Sequence, residues 1–288
     1  MHQIRLIVNG DDFGFSKEVN EAIIQAFREG VLTSCSLMVT GDAFEHAVEL
    51  AKQNPGLGVG IHLVTVMGHS VLPKSEIPDL VDENQNFPSD PNKAGIRYYF
   101  SRKARQQLKK ELAAQFQKFK ETGLNLSHID GHLHLHVHPV IFRIAMELGE
   151  KYDAKRMRVP SGELGLSVGF DRNRLISKTL YSLLFGCLAS HMKRKLKAKE
   201  FAFPERVLGN LQSGRMSEDY FLYSLRHLQT HVNEIYFHPA IYPDSQMLDR
   251  ERLQALTEFR ALMSLKVSEL VQSRNIKLIN YFDLRANV

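Results

Sequence analysis

Cysteine is scarce. Only Cys35 and Cys187 occur among 288 residues, and both sit in apolar runs. That argues against a disulfide framework and fits a reducing compartment. No apolar run approaches the roughly 20 residues of a membrane-spanning helix. The chain begins almost directly with a strand-like run, without a charged leader, a long apolar segment or a small-residue cleavage site, which predicts a cytoplasmic protein. Internal repeats are absent. Acids are missing from one whole segment: between Arg172 and Lys199 there are eight Lys/Arg and no Asp or Glu. Those eight exceed the entire net charge of +5, so the basic pI of about 9.1 belongs to one segment. No aromatic stacking platform accompanies that run, and nucleic acid is not an expected partner.

The remaining composition, 43% hydrophobic and 24% charged, suits a globular chain with a sizeable core. Short β-like runs alternate with amphipathic helical patterns. Strands are expected at residues 3–9, 33–39, 57–63, 126–130, 156–159, 206–208, 233–237 and 276–280. Helices are expected at 16–28, 43–53, 101–122, 140–151 and 217–228, with one or two more over 249–272. Ser16, Ser101 and Ser217 stand where N-caps belong, and Gly30 where a helix stops. A loop holding Pro73, Pro78, Pro88 and Pro91 lies between. About eight βα-like units without a composition break imply one α/β domain over residues 1–288 with a parallel sheet.

The polar residues choose between an open and a closed sheet. Asp11, Asp12, His62, the cluster from His128 to His138, Arg158 and His238 all fall at or just past the ends of at least five expected strands. A barrel gathers its strand ends around one mouth, whereas an open sheet hardly could. The expected fold is a distorted TIM-like (β/α) barrel, with a basic amphipathic insertion at about residues 161–205.

Two adjacent carboxylates at the end of a buried strand are costly unless a cation or a base role relieves them. The run Asn9-Gly10-Asp11-Asp12-Phe13-Gly14 presents that pair. Five histidines fall within eleven residues at 128, 132, 134, 136 and 138. An extended backbone would send these even-numbered positions to one face, but Gly131 is expected to break the run. A catalytic divalent metal takes about three His or carboxylate ligands and leaves room for water. Candidates are Asp12, His62 and one or two of the clustered histidines. Taken singly, an Asp-Asp pair can be a helix-entry signal, His62 a core histidine, Arg158 a surface arginine and His238-Pro239 a strand end. Their joint placement favours a site. His46, His69, His191, His227 and His231 read as surface or core residues.

Val8-Asn9-Gly10-Asp11-Asp12-Phe13-Gly14, Gly60-Ile61-His62-Leu63, His128-Ile129-Asp130-Gly131-His132-Leu133-His134 and Phe237-His238-Pro239 together resemble the YdjC-like carbohydrate deacetylases, which include chito-oligosaccharide deacetylases. Those barrels are related to the polysaccharide deacetylase barrels. The stretch His62-Leu63-Val64 through Gly68, Val71-Leu72-Pro73 and Glu76 to Asp82 is similar to the hopanoid-biosynthesis-associated member. The resemblance implies Asp12, His62 and His132 as metal ligands, Asp11 as general base, Arg158 as the arginine orienting that base, and His238 as general acid. The choice among His128, His132 and His134 stays open. It implies one divalent ion, magnesium by family habit, although two imidazoles and a carboxylate suit zinc or another transition ion better. The implied substrate is an N-acetylated sugar, in the hopanoid case an N-acetylglucosaminyl glycolipid.

In the basic segment, Leu175, Ile176, Leu180, Leu183, Leu184, Phe185 and Leu188 form an apolar helical pattern flanked by Lys and Arg. It is either a core-packing helix or an interfacial helix lying on anionic membrane at the inner face. Alternatives to the deacetylase reading are a metal-dependent phosphoesterase and a non-catalytic membrane-peripheral module. Self-association as a homodimer is left open.

Overall fold

The computed structural model describes residues 3–228, 232–242 and 249–286; His231 lies outside them. The strands are β1 (Arg5–Phe13), β2 (Ser34–Leu37), β3 (Gly58–Leu63), β4 (Ile129–Gly131), β5 (Arg206–Leu208), β6 (Val232–Phe237) and β7 (Lys277–Leu278). The helices are α1 (Lys17–Glu29), α2 (Phe44–Lys52), α3 (Pro91–Phe100), α4 (Arg102–Glu121), α5 (Pro139–Lys151), α6 (Leu164–Phe170), α7 (Leu175–Lys197), α8 (Glu218–His227), α9 (Arg250–Leu262) and α10 (Leu265–Ser273).

Among the described residues the named strands pair only in parallel, in the order β4-β3-β2-β1-β6-β5. Parallel neighbours require crossovers, and the helices supply them on the outer face. β7 pairs with the first two residues of β1, below the place where β2 joins the same edge. Beyond β4 the sheet curls on through single bridges, Ile129 with Met157 and Arg156 with Ala202. The amide of Val207 then donates to the Ser161 carbonyl, next to β5. The result is a curled parallel sheet in a distorted TIM-like barrel, as the alternation of elements and the gathered strand ends require.

Local signals operate as expected. The hydroxyls of Ser16, Ser101 and Ser217 accept the amides of Val19, Ala104 and Tyr220 at the starts of α1, α4 and α8. Two expectations change and a third is met in detail. Residues 156–159 form only single bridges, because Pro160 and the turn at Gly162 cut the ladder short. Pro91 ends the proline-bearing loop by opening α3, at the first helical position that suits proline, with Asp90 as its cap. The histidine cluster leaves β4 as a 3-10 segment, His132–Val137, with Leu133 and His134 both left-handed at φ 50° and 56°. The even-numbered histidines are thereby dispersed, as the break expected at Gly131 requires.

Gly60 shows how closely the core fits the site. A Cβ there would run into the ring of His128, which packs flat on Tyr281 with centroids 3.7 Å apart. Gly60→Ala is expected to cost about 1–3 kcal/mol through overpacking, read as a lowered thermal midpoint. An unchanged midpoint would show that His128 can move freely.

Candidate active site

The site begins with an irregularity in β1. Neighbouring residues of a regular strand point to opposite faces. Here the register with β2 runs Asn9 to Ser34 and Gly10 to Cys35, then shifts to Phe13 with Leu37. The extra residue is a bulge at Asp11-Asp12, with Asp12 left-handed at φ 63°. Aspartate tolerates that conformation better than most residues. A bulge re-aims side chains at a strand end, and this one brings both carboxylates to the barrel mouth. Gly14, at φ 95° and where a Cβ would run into the Met38 carbonyl, then lets the chain turn into α1.

Asp12 meets two imidazoles. Its Oδ1 lies 3.3 Å from His62 Nε2 and 3.0 Å from His132 Nδ1, and all three donor groups fall within 4.8 Å of one another. His62 reaches the mouth from the end of β3, and His132 from the first residue past β4. Nδ1 of His62 is paired with Asp130 Oδ1 at 2.7 Å, which fixes the ring and aims Nε2 at Asp12. Such a carboxylate behind a histidine is the usual support for a metal-binding imidazole.

The other histidines are engaged elsewhere. His128 is fully buried, with Ser127 Oγ 2.8 Å from Nδ1 and Ser36 Oγ 3.2 Å from Nε2. His134 pairs through Nε2 with the Tyr236 hydroxyl at 2.9 Å. His136 lies beside the Arg158 carbonyl, and His138 packs edge-on against Tyr98 and Tyr99. Of the clustered histidines, His132 is the one grouped with Asp12 and His62.

Behind this group lies Arg158, fully buried. Its Nη1 and Nη2 donate to the two oxygens of Asp11 at 2.7 and 2.8 Å. Nη1 is also 3.0 Å from Asp130, and Nη2 2.7 Å from Glu234. The guanidinium sits 4.7 Å from the Tyr236 ring. Burial opposes its charge, but Asp11, Asp130 and Glu234 hold it protonated. Asn9 Nδ2 donates to Asp11 Oδ1 at 2.8 Å and to Ser36 at 2.9 Å, while Ser36 donates to Asp130 at 2.6 Å. His238 follows β6 and is 37% exposed, its Nε2 4.0 Å from Asp11 Oδ2. Its backbone amide donates to Glu258 of α9 at 2.6 Å. Five expected site residues from β1, β3, β4 and β6, together with Arg158, therefore meet at one mouth.

The donor set fits a divalent cation. Two imidazoles and one carboxylate stand about as far apart as ligands placed about 2 Å from a shared ion. Burial alone would lower the His62 pKa, but Asp130, Asp12 and Asp11 push it up to about 10. The negative field that holds a proton on His62 would equally hold a metal ion. Burial alone would raise Asp12, yet His132 and His62 keep its carboxyl well below the usual range. A second grouping, Asp11 with His62 and Asp130, is geometrically compact. Arg158 is already paired with both of its carboxylates, so a second cation there would face a guanidinium. The arrangement suits one ion at Asp12.

Sequence reasoning did not single out Asp130 as the partner of His62, nor Glu234, Glu258, Asn9, Ser36 and Tyr236. Glu234 carried a signal, an acid inside the otherwise apolar end of a strand. Ser36 and Glu258 carried none.

A curled parallel sheet with a carboxylate–imidazole group at its C-terminal mouth defines a TIM-like barrel with a candidate single-metal centre. The chain belongs to the YdjC-like protein family, whose model matches residues 5–273. It is 35% identical over 287 residues to a carbohydrate deacetylase of Brevibacillus brevis, covering 98% of this chain and all of that one. It is 30% identical over 286 residues to a chitooligosaccharide deacetylase of Escherichia fergusonii, covering 97% and 98%. Among solved structures, it matches a crystal structure from Enterococcus faecalis V583, whose description concerns cellobiose-phosphate cleavage. The TM-score is 0.73 at 26% identity, over 97% of this chain and 98% of that one.

His136 offers a test of the buried electrostatics. The Arg158 carbonyl 3.2 Å from its Nε2 can only accept, so Nε2 carries the proton and Nδ1 is buried without a partner. Burial, partly opposed by Asp130 and reinforced by Arg158, pulls this histidine from 6.5 down to about 4. The unfolded chain therefore takes up the proton first. Stability from this residue is complete above about pH 6.5 and is lost as pH falls toward 4, by about 3 kcal/mol at most. Denaturant midpoints across that range should fall less steeply in His136→Gln than in the parent. Parallel curves would contradict the assignment.

Proposed function

We propose that the protein is a metal-dependent carbohydrate N-deacetylase. The observation carrying this reading is the Asp12–His62–His132 group with Asp11 beside it and His238 across the mouth. A cavity of about 460 Å³ opens over Asp11, His134, Tyr236 and His238, a size suited to a small organic ligand. The deacetylase names of relatives matched along almost their full length support the same chemistry.

A divalent cation held by Asp12, His62 and His132 would polarise the acetamide carbonyl and acidify water beside it. Asp11, held in one orientation by both Arg158 nitrogens and by Asn9, accepts the proton of the attacking water. Arg158 acts as a positioning residue, since its guanidinium is fully buried and its hydrogen bonds are spent on carboxylates. His238 stands on the open side of the cleft and gives a proton to the departing sugar nitrogen. Acetate and the free amine leave.

For the substrate, we infer a lipid-linked N-acetylated sugar, the N-acetylglucosaminyl group of a hopanoid glycolipid, rather than a free chito-oligosaccharide. An apolar groove of about 500 Å³ supports this. It is lined by Ile96, Tyr99, Leu135, Phe185 and Leu188, and it meets the sugar cavity at Leu133, His134 and Tyr181. A phosphoesterase reading is weaker, because Arg158 already lies where a second metal ion would be needed.

Acetate release from N-acetylglucosaminyl conjugates, free and lipid-linked, tests the proposal. Asp11→Asn and His238→Gln are each expected to lower kcat by about 10²–10⁴-fold, with the thermal midpoint of His238→Gln unchanged. Full turnover in either variant would remove that residue from its role. Absence of acetate release from every N-acetyl sugar would remove the deacetylase reading.

A further inference from the structure

Helix α7 leaves an apolar stripe uncovered. Ile176, Leu180, Leu183 and Cys187 recur at the spacing of one helical face, and Leu184 borders them. Ile176 is 78% exposed, Leu183 64%, Leu180 63% and Leu184 61%. The buried residues of α7, namely Lys178, Ala189, Met192 and Leu196, mostly belong to its second half. The first half therefore does not pack as a core helix. Helix α3 stands on the other wall of the apolar groove and exposes Ile96 at 63% and Phe100 at 75%. From α7 the groove takes Tyr181, Phe185 and Leu188, and the exposed stripe lies on the outward side of the same helix. Soluble chains rarely leave so much contiguous apolar surface without a partner.

Charge identifies the partner. The stripe that begins at Ile176 reaches Arg194 about five turns later on the same face, with Lys193, Lys195 and Lys197 around it. Arg172 and Arg174 lie at its start, and α7 contains no acid. Among the described residues, Arg172, Lys195 and Lys197 have no acidic partner within ion-pair distance. Lys93, Arg97 and Arg102 give the α3 ridge the same sign. A second copy of this chain is disfavoured, because both ends of α7 are basic and would repel in either orientation. No helix of the described residues is long and apolar enough to cross a membrane. Apolar residues on a basic helix that cannot span are the composition of an interfacial element.

We propose that the exposed faces of α7 and α3 dock the protein on an anionic lipid surface. The proposal does not rest on the identity of the deacetylated sugar, because docking is read without substrate. The full chain is sedimented with vesicles of phosphatidylcholine alone, or containing about 30% phosphatidylglycerol, at low and high salt. Binding to the anionic vesicles is expected to exceed that to neutral ones by at least about tenfold and to weaken with salt. Leu180→Glu/Leu184→Glu and, separately, Lys195→Glu/Lys197→Glu should each reduce it about tenfold, with the thermal midpoint of the charge variant preserved. Neither pair touches the sugar cavity, so acetate release from a soluble conjugate should persist. The proposal is overturned by failure to bind anionic vesicles, by binding indifferent to lipid charge, or by unchanged binding in the charge variant. A dimer in light scattering that Leu180→Glu/Leu184→Glu dissociates, without vesicle binding, would assign the surface to a second copy instead.

Discussion

One guanidinium holds the mouth of this barrel together. Arg158 is buried against Asp11, Asp130 and Glu234, three carboxylates delivered by β1, β4 and β6. Left unpaired in a dry interior, such groups would cost several kcal/mol, which is why removing one partner of a buried ion pair is so disruptive. The same contact sets the chemistry. It locks both oxygens of Asp11 and steadies Asp130, which in turn directs His62 toward Asp12. Glu234 extends the network to the Tyr281 hydroxyl at 2.5 Å, near the chain's end. Asp12 alone among these acids is out of reach of the guanidinium, and it is Asp12 that meets His62 and His132. The group proposed to hold the cation is thus the one acid the guanidinium leaves free.

Backbone geometry makes this division possible. An unbulged strand would send Asp11 and Asp12 to opposite faces, one into the barrel and one into the helical layer. The extra residue and the left-handed Asp12 place both at the mouth, with different partners. The left-handed pair Leu133–His134 plays a comparable part after β4. It separates His132, which stays with Asp12, from His134 and His136, which turn toward Tyr236 and the Arg158 backbone.

Much of this was legible in the sequence. Alternating periods gave the parallel barrel, three serines marked helix starts, and the polar residues at strand ends marked the mouth. Asp11, Asp12, His62 and His238 stood out because charged or titratable groups at the ends of apolar runs need a reason. The bulge was not legible, since no residue pattern distinguishes Asp11-Asp12 in a bulge from the same pair in a turn. Nor was the fate of the even-numbered histidines, which depended on two left-handed residues after Gly131. The roles of Asp130, Ser36 and Glu258 were not legible, because a hydrogen-bond partner is defined by tertiary proximity, which periodicity does not encode. The apolar pattern of α7 reads alike for a core helix and an exposed one, and only the packing of its neighbours separates them.

The central claim is that one divalent cation sits at Asp12, His62 and His132 while Arg158 reserves Asp11 and Asp130 for other work. Calorimetric titration of zinc and of magnesium into metal-stripped protein tests it most directly, comparing the parent chain with His132→Ala and His134→Ala. The account expects one tight site per chain, kept in His134→Ala and weakened at least about 10-fold in His132→Ala. Two equivalent sites, or undiminished binding in His132→Ala, would contradict it.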